Sequence, residues 1–326
     1  MPVTITAGVT FSGGGLTMEF APPTQATAGW YAGSYDNPYT QSYVQRITFA
    51  TDTATATSRG PLSSTRYGLA AAGNLDYGWF GGGGAPGKST VDRITYVTDT
   101  ATATVRGPLN DTFYFKGATG TSTVGYWAGG WFYSKSSISK ITYATDTATS
   151  TATGPLSQAR TFFNGVTDKT TYGWFGGGYG TPAPGAPRTN FSDIERITYA
   201  SDTSTAVSRG SLPTALWRYG STNNETYGWY ACGVTPSSPG TQNIYRLTFA
   251  TDTATASSRG TIPATLQGLS GSGNDTYGWF VGGQNPSTNN STGTYKVTYA
   301  TDTAAAATTG GLFTYVYQGT AAAGLQ

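Results

Sequence analysis

The sequence predicts an all-β protein: a closed six-bladed β-propeller of four-stranded antiparallel blades, preceded by a short N-terminal β leader. Three observations carry this. Two marker series recur six times each, an aromatic one (Trp30, Trp79, Trp127, Trp174, Trp229 and Trp279) and an acidic one (Asp52, Asp99, Asp146, Asp202, Asp252 and Asp302), at spacings of 47 to 56 residues. A fixed period of this size marks a repeat architecture. Within each repeat the apolar pattern has period two, and no stretch has the 3.6-residue period of a helix. The two chain ends are complementary: the first repeat lacks an inner strand and the last has a surplus one.

The repeat at residues 58–106 shows each element. Arg66 to Ala72 reads as an inner strand of small residues, suited to a crowded central wall. Gly73-Asn74 and Asp76 mark a turn. Tyr77-Gly78-Trp79-Phe80 is a second strand with aromatic rings on both faces, as expected for a sheet packed between two others. The run Gly81–Gly84 ends it. Val91 to Tyr96 is a third strand, and Thr98-Asp99-Thr100 a tight turn whose Asp side chain is expected to hydrogen-bond its own backbone. Ala101 to Arg106 is an outer strand, only weakly apolar, which fits a partly solvated edge. The tail Phe313 to Ala321 is expected to pair beside residues 28–34, so that the ring closes and no sheet edge stays open.

Residues 28–326 therefore form the propeller and residues 1–27 a leader. The leader carries Ile5, Val9, Phe11, Leu16, Met18 and Phe20 about a Gly13-Gly14-Gly15 break, and Pro22-Pro23 follows as a stiff link. It reads as two short strands, too small to fold alone. It is expected to anchor the chain, on another protein or on an identical subunit, by strand addition.

Composition narrows the chemistry. Glycine is abundant at 46 residues, yet 14% of the chain is aromatic, which is a folding composition rather than a disordered one. Only 10% is charged, and 18 basic residues spread over six repeats make no nucleic-acid stripe. No 18-residue apolar run predicts a membrane span. The N-terminal residues lack the features of a secretory signal. There is no His and a single Cys232, so neither a Ser or Cys triad nor a zinc or copper site is expected, and no cofactor or metal is predicted. Cys232 stands where other repeats have a strand-end glycine and reads as a small buried filler. The glycine runs lack the helix or Lys-Ser/Thr that a phosphate loop needs. The carboxylates Asp92, Asp193 and Glu195 lie in third strands. A ring of the six turn aspartates is set aside as a cation site because rim turns stand too far apart. The chain is expected not to be an enzyme.

Binding is expected on one face. Loops 34–43, 84–90, 131–137, 178–192, 234–243 and 284–294 vary in length and wording while the strands around them barely change, and such loops on a rigid scaffold commonly carry function. They supply Tyr35, Tyr39, Trp131, Tyr133, Tyr179 and Arg188, and an inter-blade segment on the same face supplies Trp217 with Arg218. Aromatic rings and Arg are typical recognition anchors, and rings stack on the C–H faces of sugars.

Two resemblances follow from the wording. Gly81-Gly82, Tyr96, Thr100 and Arg66 take the places of a kelch repeat, across residues 28–321, although the Trp usual in the kelch outer strand is replaced by Ala or Thr. The phrase R-I-T-Y-A-T-D-T-A-T-A-x-x-R-G-P-L resembles, more closely, repeats in structural and fibre-like proteins of marine tailed bacteriophages of cyanobacteria, and Ile5 to Thr17 resembles their Gly-rich leaders. This resemblance implies a virion display protein, such as a fibre head, adhesin or capsid decoration, made in the host cytoplasm. Its partners would be other virion proteins or identical subunits, and a host-surface glycan. A self-assembling extracellular filament subunit and a lectin-like carbohydrate binder are the alternatives.

Overall fold

The computed structural model describes residues 10–12, 15–17, 25–36, 39–84, 87–112, 114–131, 135–183, 185–287, 289–314 and 321–323. Among them the protein is all-β and propeller-like. Six four-stranded antiparallel sheets follow one another along the chain: sheet 1 within 28–59 with Ala321–Ala323, sheet 2 within 69–106, sheet 3 within 117–152, sheet 4 within 165–211, sheet 5 within 220–266 and sheet 6 within 270–311. Sheet 2 is typical: Leu69–Gly73, Tyr77–Gly82, Val91–Thr95 and Thr104–Arg106 lie side by side in that order. In sheet 1 the first place is taken by Ala321–Ala323, which pairs with Ala28–Asp36 in the register Trp30↔Ala323 to Ala32↔Ala321. The tail thus supplies the missing strand of the first repeat, but at Ala321–Ala323 rather than from Phe313, since Phe313 and Thr314 lie in a bend. In the leader, Thr10–Ser12 pairs with Gly15–Thr17, Phe11 opposite Leu16, as the two-strand reading anticipates. Ile5, Val9, Met18 and Phe20 lie outside the described residues.

Strand limits differ slightly from the sequence reading. The inner strand of sheet 2 begins at Leu69, not Arg66, and Tyr96 opens a 3-10 turn, Tyr96–Thr98, instead of ending the third strand. The outer strand shortens to Thr104–Arg106.

The largest correction concerns the turn aspartates. They do not act on their own turns; they lie between sheets. Asp99 accepts from Trp30 Nε1 at 2.8 Å and pairs with Arg46 and Arg59, all from sheet 1. The same arrangement joins Asp146 to Trp79, Arg93 and Arg106. It joins Asp252 to Trp174, Arg196 and Arg209, and Asp302 to Trp229, Arg246 and Arg259. Asp52 receives Trp279 and Lys296, from sheet 6. Each indole also stacks on the aromatic residue three before the aspartate, as Trp79 does on Tyr143 at 3.7 Å and 3°. One residue of a sheet therefore reads two or three groups of its neighbour. Five of the six aspartates are buried and Asp202 is half-buried. An aspartate in such a place must be paired, since an isolated buried charge is very costly. No ring of carboxylates is formed: each is matched by its own cations.

A second correction follows in sheet 3. Trp127 is not the counterpart of the other five tryptophans. Tyr126 stands opposite Lys140 as Trp79 stands opposite Arg93, so Tyr126 holds the repeated place. Its hydroxyl donates to Asp202, as Lys140 also does, and its ring stacks on Tyr199. Trp127 points to the opposite face, where its Nε1 donates to the Ala70 carbonyl of sheet 2.

Glycine serves the same joint. Gly60, Gly107, Gly154, Gly210, Gly260 and Gly310 each donate a backbone hydrogen bond to the carbonyl of the next sheet's aspartate, at 2.6 to 2.8 Å. A methyl group on any of them would collide with a carbonyl oxygen two residues beyond that aspartate, Ala101 for Gly60 and Ala54 for Gly310. The third-strand acids are structural too. Asp92 is fully buried against Arg66, and Glu195 against Arg160, which also pairs with Asp193. Cys232 is buried at φ 60, in the place of Gly82, and burial pushes its thiol up from its ordinary value. Among the described residues no helix is long and apolar enough to cross a membrane.

Candidate functional site

The first strands of successive sheets are entered through one repeated residue in the left-handed backbone region. It is Gly68 in sheet 2, Phe115 in sheet 3, Phe162 in sheet 4, Arg218 in sheet 5 and Gly268 in sheet 6, with φ between 57° and 71°. Their backbones are linked in series. Phe115 N–H donates to Gly68 C=O at 2.7 Å, Phe162 to Phe115 at 3.0 Å, Arg218 to Phe162 at 2.8 Å, and Gly268 to Arg218. This line of bonds fixes the floor of a basin of about 630 Å³, within the range of small-molecule sites at ~300–1,000 Å³.

The basin brings together four of the predicted binding residues: Tyr35, Trp131, Tyr179 and Trp217. Arg218 is in its wall, and the guanidinium of Arg188 lies 4.4 Å from the Trp131 ring centre. Tyr39 is in the second hairpin strand of sheet 1, its backbone opposite Asp36, and its side chain lies outside the described residues. Tyr133 falls outside the described residues. Sequence reasoning missed Tyr67, Tyr114, Phe115 and Phe162. The signal was present: three bulky residues occupy a repeat position that is glycine in sheets 2 and 6.

The rings form a connected arc. Centroid distances run Tyr35–Tyr67 5.0 Å, Tyr67–Tyr114 5.9 Å, Tyr114–Phe115 4.9 Å and Phe115–Phe162 4.3 Å. The arc continues Phe162–Trp131 5.5 Å, Trp131–Tyr179 6.5 Å and Tyr179–Trp217 6.3 Å. These are favourable aromatic separations. Short backbone bridges hold the loops that carry them: Tyr114 with Trp131, and Trp217 with Val234. The 178–192 loop is itself built into structure, Tyr179–Thr181 pairing with Ala159–Thr161 and with Thr189–Asn190. All these rings are half-buried except Phe115, which is buried. They pack on one another and still face the basin, so the self-packing and ligand-contact readings of the loop aromatics do not exclude each other.

Burial, with Tyr114 and Tyr35 beside it, pushes the Tyr67 phenol up, and burial does the same to Tyr114. Both are neutral hydroxyls at neutral pH. Beneath the floor lies a small cavity of about 50 Å³, bordered by Phe163, Asn164 and the buried Lys116. Burial drives the Lys116 ammonium well below its ordinary value; Asp111 opposes this and Lys135 adds to it. Among the described residues no three His, Cys, Asp or Glu side chains cluster as a metal site would require. The arrangement offers stacking, hydroxyl hydrogen bonds and positive charge, which is recognition chemistry. No family model matches the chain, and no curated protein matches it.

Proposed function

We propose that the chain is a closed six-bladed β-propeller that serves as a non-enzymatic virion display protein, anchored through its leader and presenting the aromatic basin to a host-surface saccharide. The observation that carries the binding reading is the arc of eight rings converging on one open basin from five of the sheets and their loops. Hot aromatic anchors in a pre-formed concavity are the usual form of a recognition site.

Closure is supported by the contacts between sheets 6 and 1. They repeat those between internal neighbours: Trp279 to Asp52, Lys296 to Asp52, Phe49 stacked on Trp279, and Gly310 N–H to Asp52 C=O. The non-enzymatic reading is supported by the buried carboxylates Asp92 and Glu195, each committed to a buried Arg. The virion reading is supported by the repeat wording and by the leader hairpin.

Mass spectrometry of density-purified particles, with immunogold labelling, tests the display role. The protein is expected to band with particles and label one location. Its absence from particles, with polymerisation of the purified chain, would replace this reading by the filament one. Saccharide binding by the isolated chain that is lost in Trp131→Ala tests the basin independently.

A further inference from the structure

The floor of the basin departs from the rest of the scaffold in residue type and in charge. Phe115, Phe162 and Arg218 hold φ of 58°, 58° and 57°, a region strained for residues with a side chain. Gly68 and Gly268 show what the backbone asks for there. Three successive sheets keep a large side chain at this position, and all three side chains line the basin. Of the five non-glycine residues in this region among the described residues, three line this one cavity, which supports a role in ligand contact.

The charge is one-sided. Among the described residues no carboxylate lines the basin. The Arg218 guanidinium lies 4.6 Å from the Phe162 ring centre and that of Arg188 4.4 Å from Trp131, while the two rings are 5.5 Å apart. Two cations therefore bracket one continuous ring pair. Arg188 is exposed, and among the described residues no carboxylate pairs with it.

We propose that the basin takes an acidic saccharide, an oligosaccharide bearing uronate-type carboxylates. The apolar C–H face of a pyranose lies on Trp131 and Phe162, and the carboxylate is received by the planar forks of Arg188 and Arg218, which match it in geometry. Neutral phenols and Asn190 serve the sugar hydroxyls. This rests on the reading of the basin as a saccharide surface and adds the charge class of its ligand.

Calorimetric titration of the full chain with tetragalacturonate and with maltotetraose, after a screen on an array of acidic and neutral glycans, tests it. The acidic sugar is expected to bind at least about tenfold more tightly, and less so as salt rises. Arg188→Ala and Arg218→Gly should each weaken acidic binding about tenfold, the loss of one charge-assisted contact, and weaken neutral binding by a smaller factor, so that the preference for the acidic sugar falls. Arg218→Gly installs the residue of sheets 2 and 6, so its fold is secure. Equal binding of both sugars, unmoved by either Arg variant, overturns the acidic inference and leaves the basin reading standing. No binding to any glycan on the array overturns both.

Discussion

Removing Asp252 separates an inter-sheet joint from a local turn. Its carboxylate accepts from Trp174 Nε1 at 2.8 Å and pairs with Arg196 at 3.0 Å and Arg209 at 2.8 Å. In Asp252→Ala the fully buried indole N–H loses its acceptor, a cost of about 1–3 kcal/mol. Arg196 and Arg209 are about a fifth to a quarter exposed, so water recovers part of their loss, and each adds at most about 1 kcal/mol. The sum is about 3 kcal/mol. Asp252→Asn keeps an acceptor for the indole and drops the charge, so about half that loss is expected. Guanidinium unfolding followed by tryptophan fluorescence reads both, with exposed Asp275→Ala as the control, expected within about 0.5 kcal/mol of wild type. A turn role predicts something else: Asn serves an Asx turn as well as Asp, so Asp252→Asn would be silent. A silent Asp252→Asn, or an Asp252→Ala no worse than the control, refutes the joint.

Acid unfolding reads the same joints. Burial acts to raise the Asp252 and Asp302 carboxyls, but hydrogen bonds from Arg209 and Trp174, or Arg259 and Trp229, outweigh it, with the neighbouring Arg charges, and hold both below the ordinary value. Their contribution is complete above the unfolded carboxylate range, near ~4, and is lost as pH falls through the lower folded values, so denaturation midpoints should drop below about pH 4 and drop less in Asp252→Ala/Asp302→Ala. Arg66→Leu strands the buried Asp92 and should cost about 3–5 kcal/mol. Adding Asp92→Tyr should recover most of it, since Leu216 with Tyr245 and Leu266 with Tyr295 fill the same two places in sheets 5 and 6; thermal melts of the single and double variants check this. Closure is tested by Gly310→Ala against Gly107→Ala. In a ring the two should lose similar stability, whereas in an open array Gly310→Ala, at the sheet 6 to sheet 1 contact, should be nearly silent.

The fold was legible because its determinants are local and repeated. Strand alternation, turn residues and a surplus terminal strand are all readable within one repeat or at one chain end. What each marker residue does was not legible, because its partners lie in another repeat. Trp79 and Asp146 are 67 positions apart, and nothing in the wording around Asp146 distinguishes a turn aspartate from an acceptor for a distant indole. Chemistry could have raised the question. An arginine at the third strand and another at the fourth accompany the tryptophan in sheets 1, 2, 4 and 5, which is more cation than a weakly charged surface needs.

The Trp127 error has a similar root. Matching residue type chose tryptophan, whereas matching register chooses the residue after the strand glycine: Gly125-Tyr126, alongside Gly78-Trp79 and Gly173-Trp174. In a pleated strand a one-residue shift reverses the face, so a match by type can be wrong in space even when it is one position away. The same lesson holds at the basin. Its loop aromatics stood out as departures from the repeat in loops, where departures are expected to matter. Its floor stood out only to a comparison of register, which sets Phe115, Phe162 and Arg218 against Gly68 and Gly268. A scaffold position where glycine is free and a large residue is strained gains nothing in stability from the large residue's backbone. The reason for keeping it has to be sought in what the side chain faces, and all three face the same basin.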